Sequence, residues 1–95
     1  MSDKYTKSAR GQECQVRIPG VCNRDPETVV LAHRNGAGIG RKHMSIHGAY
    51  CCSACHDAVD GRAKTNYPPA AIKSMHDEAV FRTQELMVRQ GVLVL

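Results

Sequence analysis

Seven residues separate Cys14 from Cys22, two separate Cys52 from Cys55, and His56 follows the second pair directly. The first pair brackets an arm, a Pro19-Gly20 turn and a return arm; the second is a tight Cys-x-x-Cys. Two thiolate pairs from separate hairpin-like elements can close a tetrahedron around one structural zinc ion. A fifth cysteine, Cys51, is either a buried residue at a strand end or a replacement for Cys52 in a looser pairing with Cys55. Downstream, His56 and Asp60 are four residues apart, so on a helix they share a face and could point at one divalent ion. Asp57 lies about a hundred degrees round the same helix and is less well placed. Imidazole plus carboxylate suits Mg²⁺, Mn²⁺, Ni²⁺ or Zn²⁺ alike. His33, with an ordinary imidazole pKa of about 6.5, is largely neutral at pH 7 and fit to act as a general base.

The elements that must position these groups are short. Glu27 to His33 is β-branched and apolar and predicts a strand, with Val29, Leu31 and His33 on one face. Arg34 to Met44 is a loop holding Gly36, Gly38 and Gly40 among basic residues, without the spacing of a dinucleotide-binding turn. Ser45 to Cys51 predicts a second strand, and Ser53 is placed to cap a helix from about Ala54 that stops at Gly61. Pro68 and Pro69 start a longer helix over 68–91, with Ile72, Met75, Ala79, Thr83 and Leu86 near one stripe and Val80 and Met87 beside it. Residues 1–10 predict a flexible or weakly helical lead-in, and His43, His47 and His76 are expected at the surface.

The chain has 95 residues, one Phe, three Tyr and no Trp, which suits one domain with a modest core that a structural metal would reinforce. The polar N-terminus and the free Cys-x-x-Cys predict a reducing, cytoplasmic setting rather than a disulfide framework. The chain is too short and Gly-rich for a thioredoxin-like unit, and no apolar run approaches the ~20 residues of a membrane span. A net charge of +4, with Arg34, Arg41 and Lys42 in the Gly loop, is compatible with a polyanionic partner whose phosphates those residues would position.

Read together, the middle of the chain runs strand ending in His33, loop, strand, then a helix opening with His56, the order of parts in a ββα-metal site. The stretches Gly11 to Cys22, Pro26-Glu27-Thr28, Leu31-Ala32-His33, Cys52 to Asp57 and Asp60-Gly61-Arg62 closely resemble the phage- and prophage-encoded YbcO-like nuclease family, itself similar to HNH, or His-Me finger, endonucleases. The resemblance implies zinc at Cys14, Cys22, Cys52 and Cys55 and a nuclease-like centre using His33 and His56. Typical HNH nucleases carry a ligating His or Asp immediately before the catalytic histidine; here that residue is Ala32, and the middle Asn has no match, Asn35 coming too early.

The expectation is therefore a small α+β domain of ββα-metal (HNH-like) type, stapled by zinc, with a C-terminal helix. Its leading function is hydrolysis of DNA phosphodiester bonds with a second ion such as Mg²⁺ or Mn²⁺. The competing function is a non-catalytic zinc-knuckle module that binds nucleic acid or a phage replication or recombination protein. A homodimer through the C-terminal helix and the Val92–Leu95 tail is a further expectation.

Overall fold

The computed structural model describes residues 4–33 and 45–94. A short helix, α1 (Lys4–Ser8), precedes the cysteine-bearing segment; strand β1 (Val30–His33) pairs antiparallel with β2 (Gly48–Cys51); helices α2 (Ser53–Val59) and α3 (Pro69–Arg89) follow. The result is a small α+β structure around a two-stranded sheet.

Both strands are shorter than the apolar runs suggested. Asp25 and Pro26 divert the first into a one-turn 3₁₀ segment at Pro26–Thr28: Asp25 Oδ1 accepts from Glu27 N–H at 3.1 Å and Thr28 Oγ1 donates to the Asp25 carbonyl at 2.9 Å. A second 3₁₀ turn, Ser45–His47, takes the start of the other. Within the remaining ladder Leu31 faces Tyr50 and His33 faces Gly48. A Cβ on Gly48 would lie 2.6 Å from the Leu31 Cγ, so glycine there is what lets Leu31 fold over the end of the hairpin into the core.

Two strands alone are marginal in water. The outer edge of β2 is completed by two neighbours: Tyr50 N–H donates to Thr83 Oγ1 of α3 at 2.9 Å, and Gln15 N–H donates to the Tyr50 carbonyl at 2.7 Å. Neither group of Tyr50 on that edge is left to solvent, which removes the hazard of an open strand.

Helix α3 lies along β2 and buries Ile72, His76, Ala79, Val80, Thr83 and Met87, while Met75 and Leu86 pack half-buried at its margin. The stripe is the expected one with a correction. His76, expected at the surface, is 4% exposed, and its Nε2 sits 2.9 Å from the Ala32 carbonyl. It falls four residues after Ile72, on the same face, and a polar ring is admitted there because a strand-end carbonyl meets it.

The N-terminal segment, expected to be flexible or weakly helical, carries the short helix α1 and packs on the sheet over its described part. Ala9 is buried, and Ser8 Oγ lies 2.7 Å from the hydroxyl of Tyr50, a fully buried side chain whose phenol would otherwise lack a partner. Burial pushes the Tyr50 pKa upward, the Ser8 bond opposing it. At the other end, the Val92 and Leu93 N–H groups both reach the Met87 carbonyl, Val94 is exposed, and Leu95 lies outside the described residues. Among the described residues no helix is long and apolar enough to cross a membrane.

Candidate metal centre and flanking histidines

The sulfurs of Cys14, Cys22, Cys52 and Cys55 all lie within 4.8 Å of one another, and those of Cys22 and Cys52 are 3.7 Å apart. A zinc–sulfur bond of about 2.3 Å requires tetrahedral S···S edges of about 3.8 Å. Donor type, number and spacing therefore fit a tetrathiolate metal such as zinc.

The backbone is shaped to that end. Two of the sulfurs accept a main-chain N–H: Arg17 at Cys14 (3.5 Å) and Cys55 at Cys52 (3.4 Å). Such donors offset part of the negative charge that four thiolates bring together. Arg17 and Arg24 are the positive-φ non-glycine residues among those described, at 49° and 57°, so the segment after each of Cys14 and Cys22 takes a left-handed turn that costs a non-glycine residue.

Cys51 is fully buried beside this group. The neighbouring Cys51 and then Cys55 thiols lower the Cys14 pKa. Cys14 conversely raises Cys51 and Cys55, and burial raises Cys22.

Helix α2 grows directly out of the cluster. Its N-cap is Cys52, whose sulfur accepts the Cys55 N–H; Ser53, expected as the cap, is instead the first helical residue. Ser53 ties the helix to the first cysteine segment: its Oγ accepts from Asn23 Nδ2 at 2.9 Å and its N–H donates to Thr28 Oγ1 at 3.2 Å.

His56, half-buried, directly follows Cys55. Its Nε2 is 3.2 Å from Asp60 Oδ2, the i, i+4 relation anticipated from spacing. The Asp60 carboxylate has a second partner, the Arg62 guanidinium at 3.1 Å, which also binds Asp57 Oδ1 at 3.0 Å. Asp57 is thus turned to Arg62. Gly61 makes this possible: its φ of 77° ends α2 and swings the following residue back across the last turn. Among the described residues the four cysteines are the one group of three or more ligating side chains close enough to share an ion, so His56 and Asp60 form a pair rather than a cage.

His33 ends β1, exposed, while Ala32 before it is buried. The Ala32 side chain belongs to the core and its carbonyl meets His76, so the residue preceding His33 contributes packing in place of a ligand. Arg34, Arg41, Lys42 and His43 lie outside the described residues; His47 is half-buried in its 3₁₀ turn. The support given by His76 was missed from sequence, although its spacing from Ile72 and Ala79 was the available signal.

A protein-family model described as "Putative nuclease YbcO" matches residues 3–92. Two relatives, "Putative nuclease YbcO" of Escherichia coli (strain K12) and "Putative nuclease ybcO" of Enterobacteria phage 82, are each 46% identical over 91 residues, covering 92% of this chain and 93% of their own. A solved structure titled "Structure of a putative bacteriophage protein from Escherichia coli str. K-12 substr. MG1655" is similar with a TM-score of 0.78 at 45% identity, over 92% of this chain and 99% of that one.

Proposed function

Because the chain belongs to the YbcO family, whose name is that of a nuclease, we propose that it is a metal-dependent endonuclease that hydrolyses phosphodiester bonds in DNA, on a zinc-stapled ββα (HNH-like) framework. The observations that support it are an exposed His33 at the end of β1 and His56 directly after Cys55 of the metal centre. Both imidazoles stand on elements with fixed backbones and open to solvent, as general acid–base and ligand groups require.

In this reading Cys14, Cys22, Cys52 and Cys55 hold zinc for structure. His33 takes the proton of the attacking water. A second divalent ion, when bound by His56 with Asp60, supplies positive charge for the phosphate and its leaving 3′ oxygen. Asp60 already holds the His56 ring by its Nε2, so the carboxylate fixes the imidazole's direction as well as adding charge. Arg34, Arg41 and Lys42 position the backbone without reading bases.

A second reading, a nucleic-acid-binding module without catalysis, is favoured by two specific features: Ala32 in place of a ligating residue, and an Asp60 carboxylate already shared with Arg62. Incubating plasmid with the purified protein and Mg²⁺ or Mn²⁺, with and without EDTA, separates the two. Nicking that His33→Ala abolishes, with folding and zinc content intact, is the expected result; general-base removal costs on the order of 10²–10⁴ in rate. Retention of plasmid without any nicking would leave the binding module.

A further inference from the structure

Beyond the cysteines and the two histidines, the described residues form a cleft of about 510 Å³ between the end of α2 and the first turns of α3. Its apolar wall includes Val59 and Ile72; Tyr67 contributes a ring, and Lys64 and Lys73 stand at its margin. Among the described residues, no aspartate or glutamate lines it. The volume falls in the ~300–1,000 Å³ range that holds one small ligand rather than a double helix.

Its position is as informative as its lining. Val59 is three residues after His56 and adjacent to Asp60, so this wall adjoins the helix face that carries that pair. On the opposite side His76, another lining residue, bonds the carbonyl of Ala32, next to His33. The cleft is therefore flanked by the elements bearing both candidate catalytic histidines. Tyr67 is held by its hydroxyl, which donates to the Pro19 carbonyl at 3.0 Å, so its ring is fixed before any ligand arrives.

We propose that this cleft receives one unpaired nucleotide of the substrate strand, with the base against Tyr67, Ile72 and Val59 and the flanking phosphates on Lys64 and Lys73. The inference rests on the nuclease reading for its substrate class and adds the form of that substrate, a single strand or an extruded base. An apolar pocket with a fixed ring and cations at its rim, free of carboxylates, matches a flat base between two negative charges. A paired base is stacked on both faces and cannot present one to the ring.

The test is binding, measured by fluorescence anisotropy with the full zinc-loaded chain and no added Mg²⁺ or Mn²⁺, so that cleavage plays no part. A labelled single-stranded oligonucleotide is expected to bind about tenfold or more tightly than the blunt duplex of the same sequence. The Lys64→Ala/Lys73→Ala variant, altered at two exposed positions, should lose that preference and flatten the salt dependence of single-strand binding by about 1.4 in log–log slope. An oligonucleotide carrying 2-aminopurine should lose fluorescence on binding, and Tyr67→Leu should abolish that quenching while keeping normal zinc content. Equal affinity for strand and duplex, unchanged single-strand binding by the lysine variant, or equal binding of a polyglutamate peptide would each overturn the proposal. None of these bears on plasmid nicking: cleavage with no lysine-dependent preference removes the cleft alone, and lysine-dependent single-strand binding without cleavage under any ion removes the nuclease reading alone.

Discussion

The two ends of the Cys55–His56 peptide belong to sites of opposite character. Behind it, four sulfurs are drawn within 4.8 Å, three of them buried, and two accept a main-chain N–H. In front of it, His56 and Asp60 are about a third exposed, and an arginine side chain already occupies the carboxylate. One site is built from backbone and is ready for a tetrahedral ion. The other is built from part-exposed side-chain ends that satisfy one another. The contrast separates a buried sulfur group from an exposed ion-paired one, and the two are one peptide bond apart.

The largest effect should come from breaking the sulfur group. If the four cysteines hold zinc, a chain of this size with a modest core should depend on it, because structural zinc contributes about 10–16 kcal/mol of apparent binding free energy in small zinc domains. Chelation, or Cys52→Ser, should therefore abolish the cooperative thermal transition followed by circular dichroism, with loss of one zinc per chain. His56→Ala should leave both unchanged. If the chelated protein keeps its transition, the cysteines are not what holds the fold, and the contrast disappears.

Next in size is a test of whether the fold's other support is independent of the metal. Thr83 is fully buried, and its hydroxyl accepts from the Tyr50 N–H. Thr83→Val keeps the shape and strands that donor, which should cost about 1–3 kcal/mol by chemical denaturation with unaltered zinc stoichiometry. A loss of zinc in that variant would show that the sheet edge and the cluster are one cooperative unit.

These two supports were not equally visible in the sequence. The four cysteines that meet are the four that spacing nominated, because short-range spacing limits which sulfurs a turn can bring together. The strand ending in His33, the stop at Gly61 and the long helix opened by Pro69 were legible for the same local reason. What was hidden was tertiary. Ala32 is small because the core fills that place, and His76 is inside because a carbonyl of another element awaits it. A polar residue in an apolar stripe reads as a surface residue until its partner is known. Cys52 takes the cap because its sulfur accepts the Cys55 N–H, while the Ser53 hydroxyl is engaged by Asn23. Ala9 is buried and Ser8 bonds Tyr50, 42 residues away in sequence, and neither leaves a periodic trace.

Arg62→Gln probes the ion-paired group at lower cost. Its ion pairs with Asp57 and Asp60 are more than a third exposed, so stability should change by less than about 1 kcal/mol. If Asp60 serves an ion, removing its competing cation should tighten Mn²⁺ binding several-fold, read from the Mn²⁺ concentration needed for half-maximal nicking and from the paramagnetic signal of free Mn²⁺. Unchanged Mn²⁺ affinity would assign Asp60 to holding the His56 ring alone.

The smallest effect tests whether the sulfur group's turns store strain. Arg24 takes a φ of 57°, a conformation that costs a non-glycine residue about 1–2 kcal/mol and glycine almost nothing. The Arg24 main chain acts to lower the Cys22 pKa against the burial that raises it, and glycine keeps that main-chain N–H. The unfolded chain gains freedom with glycine, which returns part of the benefit. Arg24→Gly should therefore leave the protein equally stable or more stable by up to about 1 kcal/mol, with zinc retained against a competing chelator at least as well. Arg17→Gly is the control, because there the side chain also donates from Nε to the Cys14 carbonyl at 2.9 Å, and losing that bond offsets the relief. A clear destabilisation by Arg24→Gly would mean that the arginine side chain, and not the turn it strains, is what the cysteine segment needs at that position.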